Sequence, residues 1–248
     1  MIDDRHEEQK EEKTAVAERI GRDLRLAASL RRNASADPVR AEERDRLRAW
    51  QAKRLARTYP DLLDNPRYGP AAAFFLSDLY GPKDFSARDA EIERILPMLV
   101  KALPLSGLST LSLAIELDAV SEDLDARMVD ALRQRGCISS IDDAAYARAY
   151  ASTGRQAQRI RQIKLIGDTG AALEALARKP FVAGALSLMR GPAHMAGLGE
   201  LHDFLERGFT TFKKMGRADA FLDRIETRER ELMAAWLSGH VPALAGED

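Results

Sequence analysis

The chain has 248 residues, 45% hydrophobic and 31% charged, with a formal net charge of −1. This composition describes a globular protein long enough for one domain, or one domain with an extension, and the charge balance excludes bulk attraction to nucleic acid or anionic membrane. A single cysteine, Cys137, excludes an internal disulfide framework and any multi-cysteine metal site.

The opening acids Asp3, Asp4, Glu7, Glu8, Glu11 and Glu12 are the opposite of a secretory leader, and no apolar run is long enough to span a bilayer. A cytoplasmic protein without a membrane span is expected. Strong helix formers recur almost continuously and no segment sustains a period-two alternation, which predicts an all-α bundle of roughly nine helices. The first helix is predicted over Lys13 to Arg32, with Val16, Ile20, Leu24 and Ala27 as its apolar stripe. Asp37 then serves as N-cap, with Pro38 at the first helical position. The second helix carries Leu47, Trp50, Leu55 and Tyr59 and stops at Pro60. These two helices form an N-terminal hairpin extension, residues 1–59, and residues 60–248 form the bundle domain.

A turn-rich connector, Asp64-Asn65-Pro66 through Gly69-Pro70, leads into Phe74-Phe75-Leu76-Ser77-Asp78-Leu79-Tyr80, which ends at Gly81-Pro82. Apolar side chains surround so short a helix, so it is expected to be buried on all sides. Asp78 within it must face solvent or pair with a base such as Arg88. This run resembles the signature of an uncharacterised group of bacterial proteins named for the motif FFLEELY, with Ser77-Asp78 standing where that name has two glutamates. The resemblance is firmest over residues 59–104. It implies no activity, so it assigns no catalytic residue.

Ser86 with Asp89 resembles a capping box opening the next helix, and Pro97 predicts a kink inside it. Leu113, Leu117, Val120, Leu124, Met128 and Leu132 form a long stripe ending near Gly136. Ser140 with Asp143 opens the helix of Tyr146 and Tyr150. Gly154, Gly167 and Gly170 punctuate the next stretch of chain. Pro180 and Pro192 mark starts, Gly191 and Gly216 stops, and Phe221, Ile225, Leu232 and Trp236 share one face of the last helix.

Charge is segregated. From Arg19 to Arg57 there are twelve basic and five acidic residues; from Tyr59 to Asp143 there are eight basic and fifteen acidic. Basic and acidic helices packed against one another account for this, and the alternative is a basic hairpin offered to a protein partner. Between Ala144 and Gly167 there is no acid, while Arg148, Arg155, Arg159, Arg161 and Lys164 lie near Tyr146 and Tyr150. Those residues suit phosphate contact and base stacking in principle. No recognition-helix, zinc-finger or sheet-borne aromatic motif accompanies them, which weighs against nucleic acid.

No phosphate loop, nucleophile elbow, zincin motif or Glu-x-x-His pair is present, which argues against the familiar hydrolase, NTPase and di-iron chemistries. Among four histidines, His194 and His202 are placed on one helix after Pro192. His202 and Glu206, four apart, share a face suited to a hydrogen bond or to two metal ligands. The expectation is a non-catalytic binding or interaction protein. The alternative is a pocket for haem, a metal or a lipid-like ligand between the aromatic helix and the His194–Phe212 helix, drawing on Phe74, Phe75, Asp78, Tyr80, His194, His202 and Glu206. No particular cofactor is selected by these residues.

Overall fold

The computed structural model describes residues 2–79 and 86–242, apart from the side chains of 2–6, 78 and 79. Among these residues are eleven α-helices and no strand: α1 (Ile2–Ser35), α2 (Pro38–Thr58), α3 (Pro60–Leu63), α4 (Gly69–Phe74), α5 (Ser86–Ala102), α6 (Leu105–Gln134), α7 (Asp143–Ser152), α8 (Gln156–Ala177), α9 (Pro180–Met195), α10 (Gly199–Met215) and α11 (Asp219–Leu237). The all-α bundle is as the sequence implies, with eleven helices among the described residues where the sequence pattern predicts roughly nine.

Helix α6 is the spine. Its 30 residues span about 45 Å, and its apolar positions drift around the axis so that successive turns meet different partners. Leu108 and Ile115 pack with Val16, Ile20 and Leu24 of α1 and Ile92 of α5. Leu117 joins Leu165 and Ile166 of α8 and Phe221 of α11. Met128, Val129 and Leu132 meet Leu47, Tyr146, Tyr150 and Trp236.

Several local signals act as expected. The Asp37 side chain accepts from Val39 N at 2.9 Å, with Pro38 opening α2. Helix α1 begins well before Lys13, because the acidic opening is itself good helix former. The cap of α7 is Asp142, which accepts from Ala145 N at 2.6 Å, not Ser140. Asp89 does not complete a capping box: its carboxylate turns to Arg31 and Arg88, because buried guanidinium charges outcompete a backbone amide.

Pro192 does not start a helix. It lies inside α9, and the chain breaks at Gly197, whose φ of +67° only glycine adopts without strain. There Leu198 N donates to Ala193 O (2.8 Å) and Gly197 N to His194 O (3.1 Å), a Schellman close. His194 and His202 therefore stand on separate helices, α9 and α10.

The aromatic run is also two pieces: α4, then a wider π-type turn over Phe75–Leu79. Gly69 opens α4 because a Cβ there would lie 2.5 Å from the Leu63 carbonyl oxygen.

Candidate functional site

The segregated charges meet inside the protein. Arg31 of α1 is 3% exposed, and its Nε donates to Glu122 at 2.9 Å, its Nη2 to Asp118 at 2.5 Å and its Nη1 to Asp89. Arg48 of α2 donates to Glu122 as well and lies 3.7 Å from Asp125. Burial opposes the charge on Arg31, but three carboxylates outweigh it and raise its pKa. Burial pushes the Asp118 and Asp125 carboxyls above their ordinary value, against the pull of neighbouring arginines. Further pairs run from α2 to α6 and α7: Arg57 to Asp143 at 2.6 Å, Arg40 to Asp130 at 3.2 Å and Arg133 to Glu43 at 3.1 Å.

One side of this network borders a cavity enclosed by α2, the π-type turn, α6, α7, α8 and α11. Phe75 and Leu76 close one wall, and Tyr146, Tyr150 and Trp236 another. The rings interlock. Trp50 stacks on Tyr146 with centroids 4.0 Å apart, and Trp236 meets Tyr146 edge-on at 5.1 Å. Space open to water-sized molecules is about 90 Å³, room for several waters at ~10–15 Å³ each.

Besides Arg48 of the network, two arginines line this space, Arg54 and Arg159. Arg54 donates to Glu229 at 2.5 Å, and Glu229 also accepts from the Tyr59 hydroxyl at 2.7 Å. Arg159, 5% exposed, lies over the Tyr150 ring at 4.4 Å. Its Nη1 reaches Gln162 Oε1 only at 3.4 Å, and among the described residues no group accepts from its Nε or Nη2. Those two nitrogens form one guanidinium edge, the edge a carboxylate engages bidentately. Two residues along, Arg161 uses that same edge to hold both oxygens of Glu116, each at 2.6 Å.

The residues singled out from sequence fall in three places. Phe75 lines the cavity. Phe74, also buried, points instead to α10, with its ring 5.6 Å from that of Phe204 and 3.1 Å from where a Gly208 Cβ would be. Phe74 and Glu206 line a shallow surface depression with Pro70 and Thr210, and Glu206 accepts from Arg190. His194 and His202 come together with Asp203, which sequence reasoning did not single out as a ligand. The Asp78 side chain and Tyr80 lie outside the described residues.

The α7–α8 segment turns most of its nucleic-acid candidates inward or neutralises them, while Arg148 stays exposed and Arg155 half-buried. Tyr146, Tyr150 and Arg159 are buried, Arg161 is held by Glu116, and Lys164 pairs with Asp168 at 2.7 Å. Spacing did not reveal that Arg159 faces inward, because the signal is the stripe Arg159–Ile163–Ile166, in which an arginine occupies an apolar position.

The model of a family described as Domain of unknown function (DUF8198) matches residues 30–242. Neither the curated proteins nor the solved structures give a match.

Proposed function

The chain belongs to this family, and from that premise and the chemistry of the cavity we propose that it is a binding protein for a small organic carboxylate. The carrying observation is the Arg159 edge: a buried guanidinium, stacked on Tyr150, with two parallel donors and no acceptor among the described residues. A carboxylate would satisfy both donors and lay its apolar body against Tyr150, Phe75 and Ile163. The volume sets the size. Ordinary ligand pockets hold about 300–1,000 Å³, so this smaller space selects a ligand of few heavy atoms and leaves no room in it for haem or a lipid tail. The reading takes the 74–80 run as the FFLEELY-type mark of a bacterial, cytoplasmic protein, with Phe75 and Leu76 as its contribution to the pocket.

Thermal denaturation of the full chain with acetate, lactate, succinate and inorganic phosphate tests this. At a concentration 100 times its Kd, a bound carboxylate stabilises by about 2.7 kcal/mol, a rise of roughly 5–10 °C for a chain of this size. The rise should vanish in Arg159→Leu. If no carboxylate raises Tm, or the variant keeps the full rise, the proposal fails.

A second reading keeps the hairpin as an interaction surface. Arg19, Arg22, Arg25 and Arg32 are exposed on α1, as are Glu7, Glu8, Glu11 and Glu12 of its first half. Two copies of α1 laid antiparallel would set one acidic half against the other's basic half. Exposed pairs are individually worth only about 0–1 kcal/mol, so the association is weak and salt-sensitive. Sedimentation velocity should show dimer at low ionic strength, lost in Arg19→Glu/Arg22→Glu/Arg25→Glu; monomer throughout would dismiss it.

A further inference from the structure

His202 of α10 is 4% exposed, and its Nε2 lies 2.9 Å from the Leu186 carbonyl oxygen. A carbonyl only accepts, so Nε2 carries the ring proton and donates it. In the neutral ring Nδ1 is then a lone pair. It makes no hydrogen bond among the described residues and faces Asp203 Oδ1 at 3.6 Å. His194 Nε2 is 3.0 Å from that same oxygen, and the three side chains each offer one ligand atom within 4.8 Å of the others.

From this geometry we propose that His194, His202 and Asp203 bind a divalent ion of the zinc class. Zinc holds imidazole nitrogen and carboxylate oxygen at about 2.0–2.2 Å in a tetrahedron, which sets the ligand atoms roughly 3.3 Å apart. The 3.0 and 3.6 Å separations bracket that value. Two nitrogens and one carboxylate favour zinc, cobalt or nickel over magnesium or calcium, which prefer oxygen alone.

The surroundings are those of a supported ligand set. A metal-bound histidine commonly donates its second N–H to a backbone carbonyl, which fixes the tautomer and the ring; Leu186 does this for His202. Gly199 lets the His194 ring lie over the start of α10, where a Cβ would stand 2.9 Å from His194 Nδ1. Arg94 of α5 donates to the Ala196 and Gly197 carbonyls at 3.0 and 2.8 Å, holding the turn that joins the two helices. Glu91 accepts from Leu201 N at 2.9 Å and anchors the start of α10. The His194 and Asp203 side chains are 48% and 45% exposed, so an ion has an open approach, and three protein ligands leave a fourth position for water.

Isothermal titration of the untagged full chain with Zn²⁺, and visible absorption with Co²⁺, tests the site. One equivalent should bind, with the intense visible bands of four- or five-coordinate cobalt. Asp203→Asn and His194→Ala, both at exposed positions that fold without difficulty, should each weaken binding by about tenfold or more. His202→Gln should weaken it at least as much. The double variant His6→Gln/His240→Gln, which removes the other two histidines, should bind like the parent chain. No saturable binding, unchanged affinity in Asp203→Asn and His194→Ala, or loss of binding in the His6/His240 variant would each overturn the proposal.

Discussion

Arg31 and Arg159 are the same side chain at nearly the same burial, 3% and 5% exposed, yet their surroundings are opposite. Every nitrogen of Arg31 reaches a carboxylate, and the three acids come from α5 and α6. Arg159 has an aromatic ring, one distant amide oxygen, the charge of Asp125 across the cavity but no hydrogen bond to it, and a bare edge. A buried charge is tolerated when opposite charge and hydrogen bonds compensate it. The first arginine is therefore part of what holds α1 to α5 and α6. The second draws no comparable support from the described groups around it, and that marks it for a ligand.

The largest expected effect breaks the saturated side. Arg31→Ala leaves Asp89, Asp118 and Glu122 gathered around a lost guanidinium, and removing one partner of a buried pair costs about 3–5 kcal/mol. Urea unfolding should show a midpoint far below wild type. Arg31→Lys should recover little, because one ammonium cannot reproduce a planar fork aimed at three carboxylates.

Glu229→Gln is intermediate. It strips the charge from the acceptor shared by Arg54 and Tyr59 while keeping shape, and charge-assisted hydrogen bonds are worth about 1.5–3 kcal/mol. Arg159→Leu lies lower still. Replacing a poorly compensated buried cation by an apolar residue of similar volume is neutral or stabilising, so its unfolding midpoint should match or exceed wild type. If Arg159→Leu cost as much as Arg31→Ala, the contrast between the two arginines would collapse.

The sequence carried one half of this contrast better than the other. Charge segregation along the chain anticipated basic helices lying against acidic ones, and Leu117, Leu124, Met128 and Leu132 marked the buried face of α6. Period and composition are local properties, and both survive folding. What the chain did not disclose was convergence. Arg159 reads as one more base in an acid-free stretch until α7 brings Tyr150 against it, with Trp236 of α11 packed on that ring. The histidines were misplaced for a local reason: Pro192 looked like a helix start, whereas the break is made by Gly197 at positive φ. Moving that break by five residues puts His194 on the preceding helix, brings Asp203 into reach and sends Glu206 to Arg190.

The smallest expected effect comes from a pair with neither burial nor strain. Asp61 of α3 accepts from Arg228 at 2.6 and 2.9 Å and from Arg224 at 2.8 Å, fastening the chain after α2 to α11. The Arg228 hydrogen bond is the main cause that lowers its pKa below the ordinary 3.8. A lowered carboxylate pKa stabilises the fold above the unfolded value, and that contribution is lost as pH falls through the folded value. Because Asp61 and its partners are 31–46% exposed, solvent screening holds the pair to about 0.2–1 kcal/mol. Wild type should therefore exceed Asp61→Asn by that margin at neutral pH, with the two unfolding curves converging below pH about 4 and in high salt. A gap that stays constant across pH would place the contribution in the hydrogen bonds that asparagine loses and not in charge, and the pH-sensitive part of the clamp would have to be sought in the buried carboxylates around Arg31.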